Sequence, residues 1–267
     1  MVDAATGKTV YPIRAAIALI LAAAHGVAAA GCGTAAPGGQ AMRSVSERPI
    51  PDSQVATGTR DIRRAWLGTP VDRYGHAALG SRIIVVEAQA EHGAALVVFN
   101  VAGPATAPRL QERARGPYVG TMRWLNPVGA ADFDGDGKLE LVSVTTPHIG
   151  GILTLYRLDP PRLVSLAREA NVSNHRLGAV EQRLAGIVSA PGAAPWVLVP
   201  DQSRRQLRML GWSPRGGWMP LAENVTLAAA AERIEVHPLG ACVTLDDGSG
   251  IWVPYPRMAN VPLGSKR

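Results

Sequence analysis

Residues 132–140 read Asp132-Phe133-Asp134-Gly135-Asp136-Gly137-Lys138-Leu139-Glu140. Carboxylates occupy the first, third, fifth and ninth places, and glycine the fourth and sixth. Alternate residues of a tight loop can aim their carboxylates inward, and glycine permits the sharp turn. A hard cation such as Ca²⁺ takes roughly six to eight oxygens at about 2.3–2.6 Å. The carbonyl of Lys138 falls seventh, where calcium loops commonly use a main-chain oxygen. Carboxylates this close repel one another unless a cation sits among them. An EF-hand is excluded, because the twelfth place is Ser143 rather than Glu. The competing reading is an Asp/Gly-rich turn solvated by water alone.

Other residues with chemical potential are sparse. His148 lies in Thr146-Pro147-His148-Ile149-Gly150-Gly151 and His175 in Asn174-His175-Arg176, both in expected turns. Both are placed where they can line one end of the fold. The simpler reading is a turn histidine bonded to backbone. The six histidines never fall at zincin spacing. No G-x-S-x-G elbow, P-loop or dinucleotide fingerprint occurs. No Ser or Cys nucleophile has a partner recognisable from spacing. The tryptophans (66, 124, 196, 212, 218 and 252) fall mostly in expected strands and read as packing residues. Arg204, Arg205 and Arg208 read as a solvated face.

The elements that would position the acidic loop repeat along the chain. Arg82–Glu87, Ala95–Phe99 and Leu110–Arg115 form one set of short apolar or alternating runs. Lys138–Val144, Ile152–Leu158 and Leu163–Arg168 form a second. Trp196–Val199, Gln206–Trp212 and Trp218–Glu223 form a third, and Ala241–Leu245 with Ile251–Pro254 a shorter fourth. The leading runs start at 83, 139, 196 and 241, in steps of 56, 57 and 45 residues. Trp66–Val71 and Trp124–Val128 echo each other at an offset of 58. Runs of this length bounded by Gly, Pro, Asp or Asn are strands. Asp246-Asp247-Gly248-Ser249-Gly250 reads as a hairpin turn. Three or four strands per period predict an all-β fold, a β-propeller of about four to five blades over 59–260. A β-sandwich is the other architecture that fits.

The stretch Pro127–Val142 resembles an FG-GAP/VCBS-type repeat, as in integrin α-subunit propellers and many bacterial exported proteins. In that family the loop joins the first two strands of a blade and holds Ca²⁺. The resemblance implies one structural calcium, with side-chain oxygens from Asp132, Asp134, Asp136 and Glu140 and the carbonyl of Lys138. The family more often has Asp where this chain has Glu140. Gly178–Arg183 and Tyr74–Leu79, taken as the matching regions of the third and first units, lack the carboxylates.

The chain has 267 residues, 47% of them hydrophobic and 18% charged, which excludes wholesale disorder. Its 29 glycines and 21 prolines argue against a helical bundle. Two cysteines exclude a disulfide-dense scaffold. The net charge of +6 comes almost entirely from Arg, without the aromatic interleaving of a nucleic-acid binder, so no nucleic acid is expected.

Lys8 and Arg14 precede the apolar run Ala15–Ala24, and small residues follow it, so 1–31 reads as a signal peptide. Ala28-Ala29-Ala30 fits ordinary cleavage. Ala29-Ala30-Gly31-Cys32 resembles a lipobox whose Cys32 would carry lipid. If the protein is instead free in an oxidising compartment, Cys32 can pair with Cys242. Residues 32–58 read as a Gly/Pro/Ser-rich tether and 261–267 as a tail. The expectation is an exported, monomeric, non-enzymatic binding or scaffold protein. It would be periplasmic, anchored to the outer membrane through Cys32, or secreted, with an envelope protein or glycan as partner. The alternative is a propeller hydrolase or lyase acting on the axial face.

Overall fold

The computed structural model describes residues 46–47, 61–67, 82–89, 91–102, 109–179, 184–190 and 192–256. Among these the chain is all-β, with no helix. The expected signal peptide, most of the tether and the C-terminal tail lie outside the described residues, as does Cys32.

Seventeen strands among the described residues fall into four consecutive antiparallel meanders. The first comprises β1 (Ser46–Glu47), β2 (Asp61–Leu67), β3 (Arg82–Gln89), β4 (Gly93–Ala102) and β5 (Arg109–Arg115). The second comprises β6 (Leu125–Ala131), β7 (Glu140–Thr145), β8 (Ile152–Asp159) and β9 (Arg162–Ala170). The third comprises β10 (Gly186–Val188), β11 (Trp196–Pro200), β12 (Gln206–Ser213) and β13 (Gly217–Pro220), with β14 (Val225–Thr226) also on β12. The fourth comprises β15 (Ala231–His237), β16 (Gly240–Leu245) and β17 (Gly250–Pro254). The first two meanders join through a single parallel pairing of Arg115 with Arg162.

Three cores lie between successive meanders. Val86, Leu96 and Val98 meet Leu125, Leu141 and Tyr156. Val142, Val144, Leu153 and Leu155 meet Val197, Val199 and Leu210. Trp196, Leu198, Leu207 and Met209 meet Ile234, Val243, Leu245 and Val253. Side chains alternate across a strand, so Leu141 faces one neighbour while Val142 and Val144 face the next. Both faces of β7 and β11 are therefore buried, which is why these strands read as near-continuous apolar runs. Outer strands such as β9 and β13 are more exposed.

The runs taken as leading each unit are not the first strands of their meanders: β7, β11 and β16 come second and β3 third. A further strand precedes each one. β6, β10 and β15 lie side by side. A Cβ at Gly186 on β10 would sit 2.5 Å from Val236 Cγ2 on β15, so glycine lets these strands close up. β6 carries Pro127 at a bulge on the edge of its sheet, where a missing N–H is tolerated. This shift also changes which loops correspond. The counterpart of the acidic loop in the third meander is 189–195, between β10 and β11, and not Gly178–Arg183, which precedes β10. Residues 189–195 carry no carboxylate either. Tyr74–Leu79 lie outside the described residues.

Candidate metal loop and histidine cluster at the two ends of β6

β6 delivers the chain into the loop 132–139 and β7 takes it away. Phe133 fixes the loop from below. It is buried and packs edge-on against Trp218 of β13, with ring centroids 5.8 Å apart. The apolar residue between two aspartates therefore plugs the seam between the second and third meanders.

Asp132, Asp134 and Asp136 each present a carboxylate oxygen, and these oxygens lie within 4.8 Å of one another. Backbone donors shape the turn. Asp132 Oδ1 and Oδ2 accept from the N–H groups of Gly135 (2.7 Å) and Gly137 (2.9 Å). Asp134 accepts from Asp136 N at 2.9 Å, and Asp136 from Lys138 N at 2.7 Å. Gly135 and Gly137 adopt φ of 75° and 84°, values that side-chain-bearing residues resist. Burial, together with the neighbouring Asp136 and Asp132 charges, raises the pKa of Asp134. Asp136 is also pushed up by burial, but the backbone N–H and ammonium of Lys138 outweigh this and hold it below the usual range. The Lys138 ammonium lies 3.1 Å from Asp136 Oδ2, in an exposed pair.

Glu140 differs from the aspartates. Its side chain is 1% exposed. Oε2 accepts from Phe133 N at 2.8 Å, and Oε1 is buried without a hydrogen-bond partner. Burial drives its pKa up to about 7; the Phe133 N–H opposes this, and the charges of Asp134, Asp132 and Asp136 add to it. An orphaned carboxylate oxygen buried behind three clustered aspartates is a costly arrangement by itself. The donor set is all oxygen, as a hard cation requires. The structure thus groups Asp132, Asp134 and Asp136, sets Glu140 behind them, and leaves the Lys138 side chain in solvent.

At the other end of β6, Trp124 precedes Leu125. His148, in the β7–β8 loop, and His175, between β9 and β10, meet here with His148 Nε2 and His175 Nδ1 2.7 Å apart. The Trp124 ring stacks on His175 at 5.2 Å and 24°, and lies 5.2 Å from His148. His175 is buried, and its Nε2 donates to the carbonyl of Ala179 at 3.0 Å. Burial lowers the pKa of His148.

The loops are fastened by residues that spacing did not single out. Gln202 accepts from Gly151 N at 2.8 Å and donates to Pro147 O at 3.0 Å. A Cβ at Gly151 would fall 1.9 Å from the carbonyl oxygen of Val172. The Asn126 and Asn174 side-chain amides donate to each other's backbone carbonyls at 3.2 and 2.9 Å. A signal for these residues lay only in their placement beside strand ends.

Of the arginines read as a solvated face, Arg205 is exposed while Arg204 and Arg208 are half-buried, and all three also reach backbone carbonyls. Arg204 donates to Ala231 O and Arg205 to Ala228 O, while Arg208 donates to Ala170 O and pairs with Glu169. Trp196 and Trp218 are buried, as packing residues should be, whereas Trp124 and Trp252 are partly exposed. Cys242 is buried on β16 and disulfide-bonded.

No protein-family profile matches the chain, and no curated protein matches it.

Proposed function

We propose that this chain is an exported, non-enzymatic β-propeller that serves as a binding or scaffold protein of the cell envelope. Each meander is one blade, and the 132–140 loop holds one structural Ca²⁺. Four meanders with a shared core between successive ones, and with the first strands of the second, third and fourth side by side, support the blade reading. The orphaned Glu140 Oε1 behind the three aspartates is the observation that carries the calcium reading. Asp132, Asp134, Asp136 and Glu140 would supply side-chain oxygens and Lys138 its carbonyl. The cation would offset carboxylate repulsion and hold Phe133 in the seam against Trp218. Its role would be to fasten two blades together.

Export rests on the basic–apolar–small pattern of residues 1–31, and the disulfide at Cys242 favours a form free in an oxidising compartment over one lipidated at Cys32. The histidine pair is the one observation on the side of a hydrolase or lyase. Three of its four ring nitrogens are engaged, two with each other and one with the Ala179 carbonyl, the arrangement of a held loop. The test is the thermal unfolding midpoint of the mature protein in calcium and in chelator. A rise of several degrees with calcium, lost in Asp132→Asn, is expected. An unchanged midpoint sinks the calcium reading.

A further inference from the structure

Among the described residues the fourth meander has the fewest strands, three, and β17 is its outer one. Ala241, Val243 and Leu245 of β16 face the core shared with the third meander. Side chains alternate across a strand, so Cys242 leaves the sheet from the opposite face. None of the three cores lies on that face. Its neighbours there are Glu235 on β15, half-buried, and Trp252 on β17, 40% exposed. The indole lies over Gly240, where a Cβ would fall 2.6 Å from the ring. Cys242 itself is only 5% exposed. A small side chain between two half-open neighbours is buried because something lies over it. Cys242 is disulfide-bonded, no described cysteine is free, and the one other cysteine of the chain is Cys32.

The edge of the meander gives a second sign. Among the described strands β17 pairs with β16 alone. Ile251 of β17 nevertheless has an interaction outside that ladder. Its side chain is hydrocarbon, so the group engaged belongs to its main chain. An outer strand edge is a row of N–H and C=O groups that templates pairing with a further extended segment.

We infer that the segment flanking Cys32, residues 31–36, docks on the outer face and edge of the fourth meander, with the Cys32–Cys242 disulfide as its fastening. The segment reads Gly31-Cys32-Gly33-Thr34-Ala35-Ala36, without charge and with small side chains that fit beside the Trp252 indole. Pro37 follows, has no N–H to pair and ends the segment. The first residues of the expected tether are thereby pinned, and the Cys32 sulfur is withheld from lipid. The inference takes from the export reading only the oxidising compartment. It owes nothing to the calcium loop, so the chelator test and this one fail separately.

The test is amide hydrogen exchange of the exported, mature protein, with Cys32→Ser beside it. In the oxidised protein the amides of 33–36 are expected to exchange at least tenfold more slowly than in an unstructured chain. In Cys32→Ser those amides should reach the unstructured rate, and β17 should exchange at least tenfold faster. Unchanged protection of β7 and β11 certifies that the variant is folded. Thiol reduction of the folded wild type makes the same comparison without a substitution. A peptide map made without reductant should recover Cys32 linked to Cys242. Unstructured exchange at 33–36 in the oxidised protein, β17 protection that survives loss of the disulfide, a lipid on Cys32, or a Cys242 bond to a second chain overturns the inference.

Discussion

At its start β6 meets Trp124, His148 and His175; at its end, seven residues later, it meets Asp132 and the acidic loop. The histidine end ties itself down with neutral groups. His148 donates to His175, His175 to Ala179, and Gln202 clamps the loop from the next meander. The acidic end is satisfied by backbone donors on its outer side but leaves Glu140 Oε1 orphaned within. Neutral networks complete themselves with dipoles, whereas a cluster of like charges is completed by an ion of opposite sign. One strand therefore joins a junction held by neutral groups to a carboxylate cluster with one buried oxygen left unpaired.

The comparison can be broken at either end. Phe133→Ala should have the largest effect, a loss of about 3–5 kcal/mol, because it empties the seam beneath Trp218. Denaturant titration should show this loss with or without calcium, since the missing contact is apolar. His175→Ala should cost about 2–3 kcal/mol by stripping His148 and the Ala179 carbonyl of their partner. The same titration should find that loss indifferent to calcium. Glu140→Gln sharpens the contrast. It should stabilise the calcium-free protein by about 1 kcal/mol by removing a buried charge. The variant should also lose the calcium response. Lys138→Met should leave the midpoint where it was and tighten calcium binding by a few fold in calorimetry, as the ammonium beside Asp136 departs.

The acidic loop was legible because its chemistry is local. Nine consecutive residues carry the carboxylates, the glycines and the plug, so spacing alone points to them. The strands β3–β5, β7–β9 and β11–β13 were legible too, since apolar runs bounded by breakers survive without knowledge of partners. The strands β6, β10 and β15 were harder. β10 is three residues long, and β6 is interrupted by Pro127 and Gly129. Missing them moved the boundaries of each unit by one strand and aligned Gly178–Arg183 with the wrong loop. The histidine cluster was the least legible. His148 and His175 are 27 residues apart, and Gln202 lies 51 residues from Gly151. Only the stacking of one meander on the next brings them together. The ties made by Arg204 and Arg208 were hidden for the same reason, because their acceptors are backbone carbonyls that no sequence pattern marks.

The most direct test of the contrast is the ¹H–¹⁵N amide spectrum of chelator-stripped mature protein, recorded before and after addition of calcium. The account predicts shifts at Asp132–Glu140 and at the Trp218 indole, complete at one equivalent. It predicts still resonances for Trp124, His148 and His175. Calcium that leaves 132–140 unmoved, or moves both ends of β6 alike, would contradict it.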